Sequence, residues 1–304
     1  MALRLDDHWV WDFWHVADSG AHHLFFLKAP RSLGDPDLRH WHPTIGHAVS
    51  ANLVDWTLLP DALAPSDGPA WDDHTTWTGS VVRHDDEWHL FYTGTSRADD
   101  GLVQRVGHAR SDDLSAWERV DDGLAFELDP QWYETLDLTR WHDQAWRDPF
   151  VFHHGGTWHA LVTARCADGA TDRRGTIGHA VSDDLDLWSV QPPLSDGSPH
   201  GQLEIPEVLE VGGRWYLMFS TVSDDGQPGT FAVPSVSGPL GPWDWARERR
   251  VLGDGWYGAK VIASAPGADP IALAWRDRDD VAFGGWISDP MAVTLDPHGF
   301  RIEP

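Results

Sequence analysis

The chain has 304 residues, with 48 acidic against 22 basic side chains and a formal net charge of −26. Phosphate backbones and anionic bilayers would be repelled, so neither nucleic acid nor a membrane is expected as a partner. There is no apolar run of about 18 residues to cross a bilayer, and the single cysteine, Cys166, excludes an internal disulfide.

The opening MALRLDDHWV lacks the basic stretch and apolar core of a secretory leader. Together with the lone cysteine this leads us to expect a cytoplasmic protein, or a secreted one whose leader has been removed. Cys166 is expected to be a small buried residue at a strand end. Lys28 and Lys260 are the only lysines, so the basic side chains are nearly all arginine. Such an acidic, arginine-rich chain fits either a high-salt habitat or a coding bias. The 20 tryptophans favour strands, and a flat aromatic face also stacks on sugar rings.

Taken in chain order, short strand-like runs recur. VWDFW at 10–14 sets Asp12 among bulky neighbours, where a carboxylate is costly unless paired, functional or capping a turn. An aromatic strand, HHLFFLKA, follows at 22–29, and then GHAVSANLVDW at 46–56. WTGSVV at 77–82 precedes a second aromatic strand, EWHLFYTG at 87–94, and GHARSDDLSAW at 107–117 follows it. WRDPFVF at 146–152 precedes TWHALVTA at 157–164 and GHAVSDDLDLW at 178–188. QLEIPEVLEV at 202–211 precedes RWYLMFST at 214–221, and DPIALAW at 269–275 is a weaker fifth copy. The turn clusters RHDDE, HHGGT and EVGGR read as hairpin loops.

The aromatic strand returns about every 55 to 70 residues, and no stretch has a long helical period. Five units of four short strands fill the chain. Radial repetition of such sheets is a β-propeller. The expected fold is therefore all-β, one five-bladed propeller domain over 1–304 with a central active-site pocket. In the recurring Ser-x-Asp/Asn-Leu-x-x-Trp piece, Asp or Asn should cap a tight turn while Leu and Trp pack between blades. His47, His108 and His179 recur with it, and one central site cannot use all three, so they read as structural.

Functional residues should stand where the repeat is broken. Asp12, Asp148 and Glu204 stand at three such places, at the starts of blades one, three and four. In a regular strand Arg147 and Asp148 would point oppositely, leaving Asp148 to face the centre, with Pro149 fixing a turn at the strand start. Converging carboxyls cannot all ionise at neutral pH, so their proton affinities separate. Glycosidic cleavage needs that separation: one acid protonated, another ionised. Glu207, three residues beyond Glu204, is the alternative to it. A glycine-rich phosphate loop, a His-Glu-x-x-His zinc motif and a Gly-x-Ser-x-Gly elbow are all missing. No cofactor and no metal are expected, and acids such as Asp72, Asp73, Asp99 and Asp100 are read as solvated loop residues rather than calcium ligands.

At these residues the chain resembles the five-bladed fructosyl enzymes, the invertases and levanases of glycoside hydrolase family 32 and the levansucrases of family 68. WRDPFVF resembles their Arg-Asp-Pro motif, and WTGSVV their Trp/Phe-Ser-Gly-Ser motif. LEIPEVLEV is similar to the Glu-Cys-Pro-Asp and Glu-Ile-Glu-Arg-Pro motifs, and VWDFW to the levansucrase Val-Trp-Asp-Ser-Trp. The resemblance implies that Asp12 is a nucleophile, Glu204 the general acid and base, and Asp148 a holder of ring hydroxyls that stabilises the transition state. It implies a retaining enzyme acting on β-fructofuranosides such as sucrose, levan or inulin, with a carbohydrate as its partner, and places Asp12 and Glu204 about 5–5.5 Å apart. Trp11, Trp77, Thr78, Arg147 and Gln202 would contact substrate. Trp11 replaces the invertase asparagine, Ile205 its cysteine, and Gln202 a levansucrase glutamate. The chain ends at Pro304, so the C-terminal β-sandwich usual in invertases is not expected. Two alternatives stay open: an inverting arabinofuranosidase or xylosidase of the family 43 type, and a sugar-binding propeller without catalysis.

Overall fold

In the computed structural model, residues 2–223, 226–262, 269–279 and 282–304 are described. Each recurring aromatic segment is a strand, because bulky and β-branched side chains alternate well across a pleated surface. Five four-stranded antiparallel sheets follow one another along the sequence. The first holds β1 (His8–Asp18), β2 (Ala21–Pro30), β3 (Thr44–Ser50) and β4 (Thr57–Leu63). The second holds β5 (Thr75–His84), β6 (Glu87–Thr95), β7 (Arg105–Ser111) and β8 (Glu118–Phe126). The third holds β9 (Trp146–His154), β10 (Thr157–Arg165), β11 (Gly175–Ser182) and β12 (Ser189–Gln191). The fourth holds β13 (Glu204–Val211), β14 (Arg214–Val222), β15 (Pro228–Pro234) and β16 (Arg249–Leu252). The fifth begins with β17 (Trp256–Ile262) and β18 (Ile271–Arg276). After a short hairpin, β19 (Arg278–Asp279) and β20 (Ala282–Phe283), it ends with β21 (Met291–Asp296) and β22 (Gly299–Glu303).

The first strands form a ring: β1 lies against β5, β5 against β9, β9 against β13, β13 against β17, and β17 against β1. This is the expected five-bladed propeller. Leu3 closes it by exchanging backbone hydrogen bonds with Ile287 beside the fifth blade, at 2.9 and 3.1 Å, and the Val10 N–H reaches Gly285 O at 3.1 Å.

Four of the first hairpins turn through two residues at positive φ: Ser19-Gly20, Asp85-Asp86, Gly155-Gly156 and Gly212-Gly213. Left-handed pairs match the twist of the strands they join. In the other repeated piece, the side chains of Asn52, Asp113 and Asp184 accept backbone N–H groups two and three residues on. The following Leu53, Leu114 and Leu185 take left-handed φ values of 62°, 67° and 68° and are buried. Trp117 then packs edge-on against Phe25 of the preceding blade at 5.7 Å, and Trp188 against Phe91 at 5.3 Å. The recurring leucine and tryptophan are thus core and inter-blade cement.

The recurring histidines lie within the sheets. His47, His108 and His179 each pair, ring nitrogen to ring nitrogen, with His23, His89 and His159 at 2.9–3.0 Å. Burial holds His47 and His179 down to about 4 and His108 to about 3. Cys166 directly follows β10 and is buried, as expected. The acidic loop residues differ from expectation. Asp72 is fully buried, accepting from Tyr92 and Arg119 at 2.8 Å. Asp73 is buried and caps Arg97 N at 2.9 Å, and Asp99 pairs with Arg105 at 2.8 Å. These three serve the second blade; Asp100 is exposed. A hydrophilic loop composition does not reveal that β6 and β8 carry the partners of Asp72 and β7 that of Asp99.

Candidate active site

A bulge interrupts the first strand of every blade at a matching place. The register slips between Trp11 and Phe13, between Trp77 and Gly79, opposite Leu161–Thr163 in β9, between Glu204 and Glu207, and between Tyr257 and Lys260. Asp12, Asp148, Ile205 and Gly258 sit there with φ values of 31°, 58°, 53° and 58°. A non-glycine residue in this region costs on the order of 1–3 kcal/mol and persists only where its surroundings enforce it. A bulge also re-aims side chains. Alternation therefore fails, and consecutive residues face the same cavity: Trp11 with Asp12, Trp77 with Thr78, Arg147 with Asp148, Glu204 with Ile205. This corrects the opposite orientation expected of Arg147 and Asp148. Pro149 likewise belongs to a bulge inside β9, not to a turn before it.

Hydroxyls and carboxylates pin these bulges between blades. Thr93 Oγ1 accepts from Asp148 N at 2.8 Å. Asp148 Oδ2 accepts from Ile205 N at 3.0 Å and from Thr163 Oγ1 at 2.8 Å. Ser220 Oγ accepts from Gly258 N at 3.0 Å. A Cβ at Gly79 would lie 2.0 Å from Phe91 O, and one at Gly258 2.4 Å from Trp275 Nε1, so glycine is required at both.

The cavity has a volume of about 610 Å3, within the range of small-molecule sites. Asp12, Asp148 and Glu204 converge on it. Asp12 accepts from Thr78 Oγ1 at 3.0 Å. Burial, then the charges of Asp148 and Glu204, push it up to about 7. Asp148 is also raised, by burial foremost, against the pull of Arg147. Glu204 is the best supplied with donors: Arg147 Nη2 at 2.9 Å, Gln202 Nε2 at 3.0 Å and the Tyr257 hydroxyl. Burial opposes the charge of Arg147, but Asp143, Glu204 and Asp148 more than offset it, so the guanidinium stays firmly cationic.

Gln202 is a partial correction. It does not line the cavity; it holds Arg147 and Glu204 from behind, accepting from Arg147 at 3.1 Å. Glu207 lies beyond the bulge in a second cavity of about 180 Å3, paired with Lys260 at 2.9 Å. Of the two glutamates, only Glu204 faces the larger cavity with Asp12 and Asp148.

Several lining residues had no sequence signal strong enough to single them out. Tyr257 precedes the fifth bulge, as Glu204 precedes the fourth, in the least conspicuous repeat. Arg39, His40 and Trp41 come from a 3-10 helix, Pro36–Trp41, between β2 and β3. Asp143 comes from the link between β8 and β9, Asp277 directly follows β18, and Arg278 opens β19. His40 rests edge-on to Trp11 at 6.3 Å and its carbonyl accepts from Trp77 Nε1 at 2.8 Å. Burial and two nearby guanidiniums lower His40 to about 3, so it is neutral.

The sequence model of the glycosyl hydrolases family 32 N-terminal domain matches residues 14–288. The chain belongs to glycoside hydrolase family 32. The match begins two residues after Asp12, so that residue's assignment rests on geometry and motif. A sucrose-6-phosphate hydrolase of Bacillus subtilis is 28% identical over 207 residues, covering 66% of this chain and 39% of that protein. A raffinose invertase of Escherichia coli is 27% identical over 209 residues, with the same coverage. The chain thus spans about two fifths of the length of these curated relatives. Among solved structures, a family 32 β-fructofuranosidase of Bombyx mori superposes with a TM-score of 0.76 at 20% identity, over 100% of this chain and 64% of that one. An inulosucrase of Halalkalicoccus jeotgali bound to kestose gives 0.78 at 20% identity, over 99% and 89%. At these identities the superpositions establish the shared propeller.

Proposed function

We propose that this family 32 chain cleaves or transfers β-fructofuranosyl units by a retaining double displacement. The observation that carries this is the convergence of Asp12, Asp148 and Glu204 on one cavity with unequal surroundings. Asp12 attacks the anomeric carbon and forms the covalent furanosyl intermediate. Glu204 gives its proton to the leaving oxygen, then takes one from water or an acceptor sugar. Asp148, anchored through Oδ2, presents its other oxygen to ring hydroxyls. In the free site the last of the coupled carboxyl protons leaves near neutral pH, and burial puts it on Asp12. Positive charge developing at the anomeric carbon favours ionised Asp12. Arg147, Gln202 and Tyr257 fix the direction in which Glu204 delivers its proton.

Membership of family 32 favours this reading over the family 43 alternative, and three converging acids exceed what sugar binding alone requires. Product analysis on sucrose, levan, inulin and aryl arabinofuranosides, with the anomer followed by NMR, tests it. Fructose released or transferred with retention is expected; inversion, or turnover of arabinofuranosides alone, would refute it. Among the described residues no helix is long and apolar enough to cross a membrane.

A further inference from the structure

We infer that the site selects uncharged saccharides and rejects phosphorylated ones. The inference rests on the fructofuranosidase reading and specifies its substrate class. Beyond the catalytic trio, the lining adds Asp143 and Asp277. Five carboxylates therefore face three guanidiniums, and with one carboxyl protonated the wall is still net negative. Each of the three guanidiniums already has a carboxylate neighbour. Arg147 bridges Glu204 and Asp143, at 2.9 and 3.5 Å. Arg39 donates to Pro36 O at 2.9 Å, meets Asp37 at 3.4 Å and lies over the Phe283 ring at 4.0 Å. Arg278 lies 3.5 Å from Asp277. Among the described residues no lysine lines the cavity.

A phosphate dianion is bound by guanidinium forks or ammonium groups free to turn toward it. Here Arg147 would have to leave Glu204 and Asp143, and a dianion drawn to Arg278 would meet Asp277 beside it. The whole-chain charge of −26 acts in the same direction at longer range. The lining also offers apolar surface. Trp41 is stacked on His74 at 5.3 Å and half-exposed at the rim, and Val222 and Pro228 also line the cavity. These suit the C–H faces of a neutral sugar. The chain would therefore differ in substrate class from its Bacillus subtilis relative, whose name specifies a phosphorylated sugar.

The test compares kcat/KM for sucrose and for sucrose phosphorylated on the glucosyl unit, at 20 mM and 500 mM NaCl. Sucrose should be preferred at least ~10-fold at low salt, and the gap should narrow several-fold at high salt as the field is screened. Calorimetric binding of the same two sugars to Glu204→Gln reads the preference without turnover. Equal or better handling of the phosphorylated sugar in either assay overturns the inference. If neither sugar is cleaved but the variant still binds sucrose more tightly, the charge selection stands and the fructofuranosidase reading fails.

Discussion

Asp12→Asn removes a charge that folding tolerates poorly. The carboxyl moves from an ordinary value of 3.8 to about 7 on folding, chiefly through burial and then through repulsion from Asp148 and Glu204. A group raised on folding stabilises the native state fully below its unfolded value, and that contribution fades as pH climbs through the folded value. Each tenfold change in proton affinity is about 1.4 kcal/mol, so the loss between pH 4 and pH 8 is at most about 4 kcal/mol. Asparagine is neutral throughout and keeps an acceptor for Thr78. The variant should match wild type near pH 4.5 and exceed it by about 2–4 kcal/mol at pH 8. For a chain of this size that is about 3–6 °C in melting temperature. The buried histidine pairs weaken both proteins equally in acid, so they cancel in the difference. Thermal and urea unfolding of both proteins at the two pH values gives the comparison. Equal stability at pH 8, or the same offset at both pH values, would refute the argument that Asp12 is a strained, proton-holding carboxyl. The variant should also be inactive.

Glu204→Gln should lose turnover with little change in melting temperature. Glu207→Gln should do the opposite, keeping kcat within about tenfold but lowering stability by about 3–5 kcal/mol because buried Lys260 loses its partner; reversed outcomes would exchange the two glutamates. Tyr257→Phe removes a hydrogen bond to a carboxylate, an effect of about 1.5–3 kcal/mol, so kcat should fall about 10- to 100-fold while the fold is kept, and an unchanged kcat would dismiss Tyr257 as a positioning residue. The basic limb of kcat/KM should titrate near pH 7, as the coupled carboxyls lose their last proton; a limb two or more pH units higher would contradict this. Stability should decline as pH drops from about 6.5 toward 4, because His47, His108 and His179 are neutral when folded and take protons only when unfolded; an unfolding free energy flat over that range in Asp12→Asn, which lacks the opposing effect of Asp12, would contradict it.

The propeller was legible because its repeat is written in bulky residues. The second strand of each blade, from HHLFFLKA to DPIALAW, announces itself by composition, and RHDDE, HHGGT and EVGGR by the left-handed turns they permit. The three acids were legible because each departs from that repeat. The bulge was not. Nothing in Trp-Asp or Arg-Asp says that alternation stops there, since the positive φ values are imposed by hydroxyls and backbone on neighbouring blades, such as Thr93 under Asp148. For the same reason Tyr257 escaped notice: its place beside Glu204 follows from the ring of bulges, not from any local pattern. Arg39, His40, Asp143 and Asp277 lie on connecting segments, where periodicity carries no information. Asp72 shows the converse error. It looks like a loop acid, and only the fold supplies Tyr92 and Arg119.

The ring of bulges also explains how one blade design yields three different carboxyls. Asp12 occupies the strained position itself and receives a single hydroxyl donor, so its charge is poorly supported until a cationic centre develops in front of it. Asp148 occupies the matching position in the third blade, but one of its oxygens is spent holding the bulge of the fourth, which fixes it in place. Glu204 stands one residue before its bulge and on a longer side chain, within reach of Arg147, Gln202 and Tyr257. Position relative to the bulge therefore sets donor count, and the roles proposed for the three carboxyls rest on that difference. Moving the acid of the fourth blade onto the bulge, by Glu204→Gln with Ile205→Glu, should fail to restore turnover even though a glutamate still faces the cavity. Recovery of more than about a tenth of wild-type kcat would show that convergence alone suffices and that the bulge register is incidental.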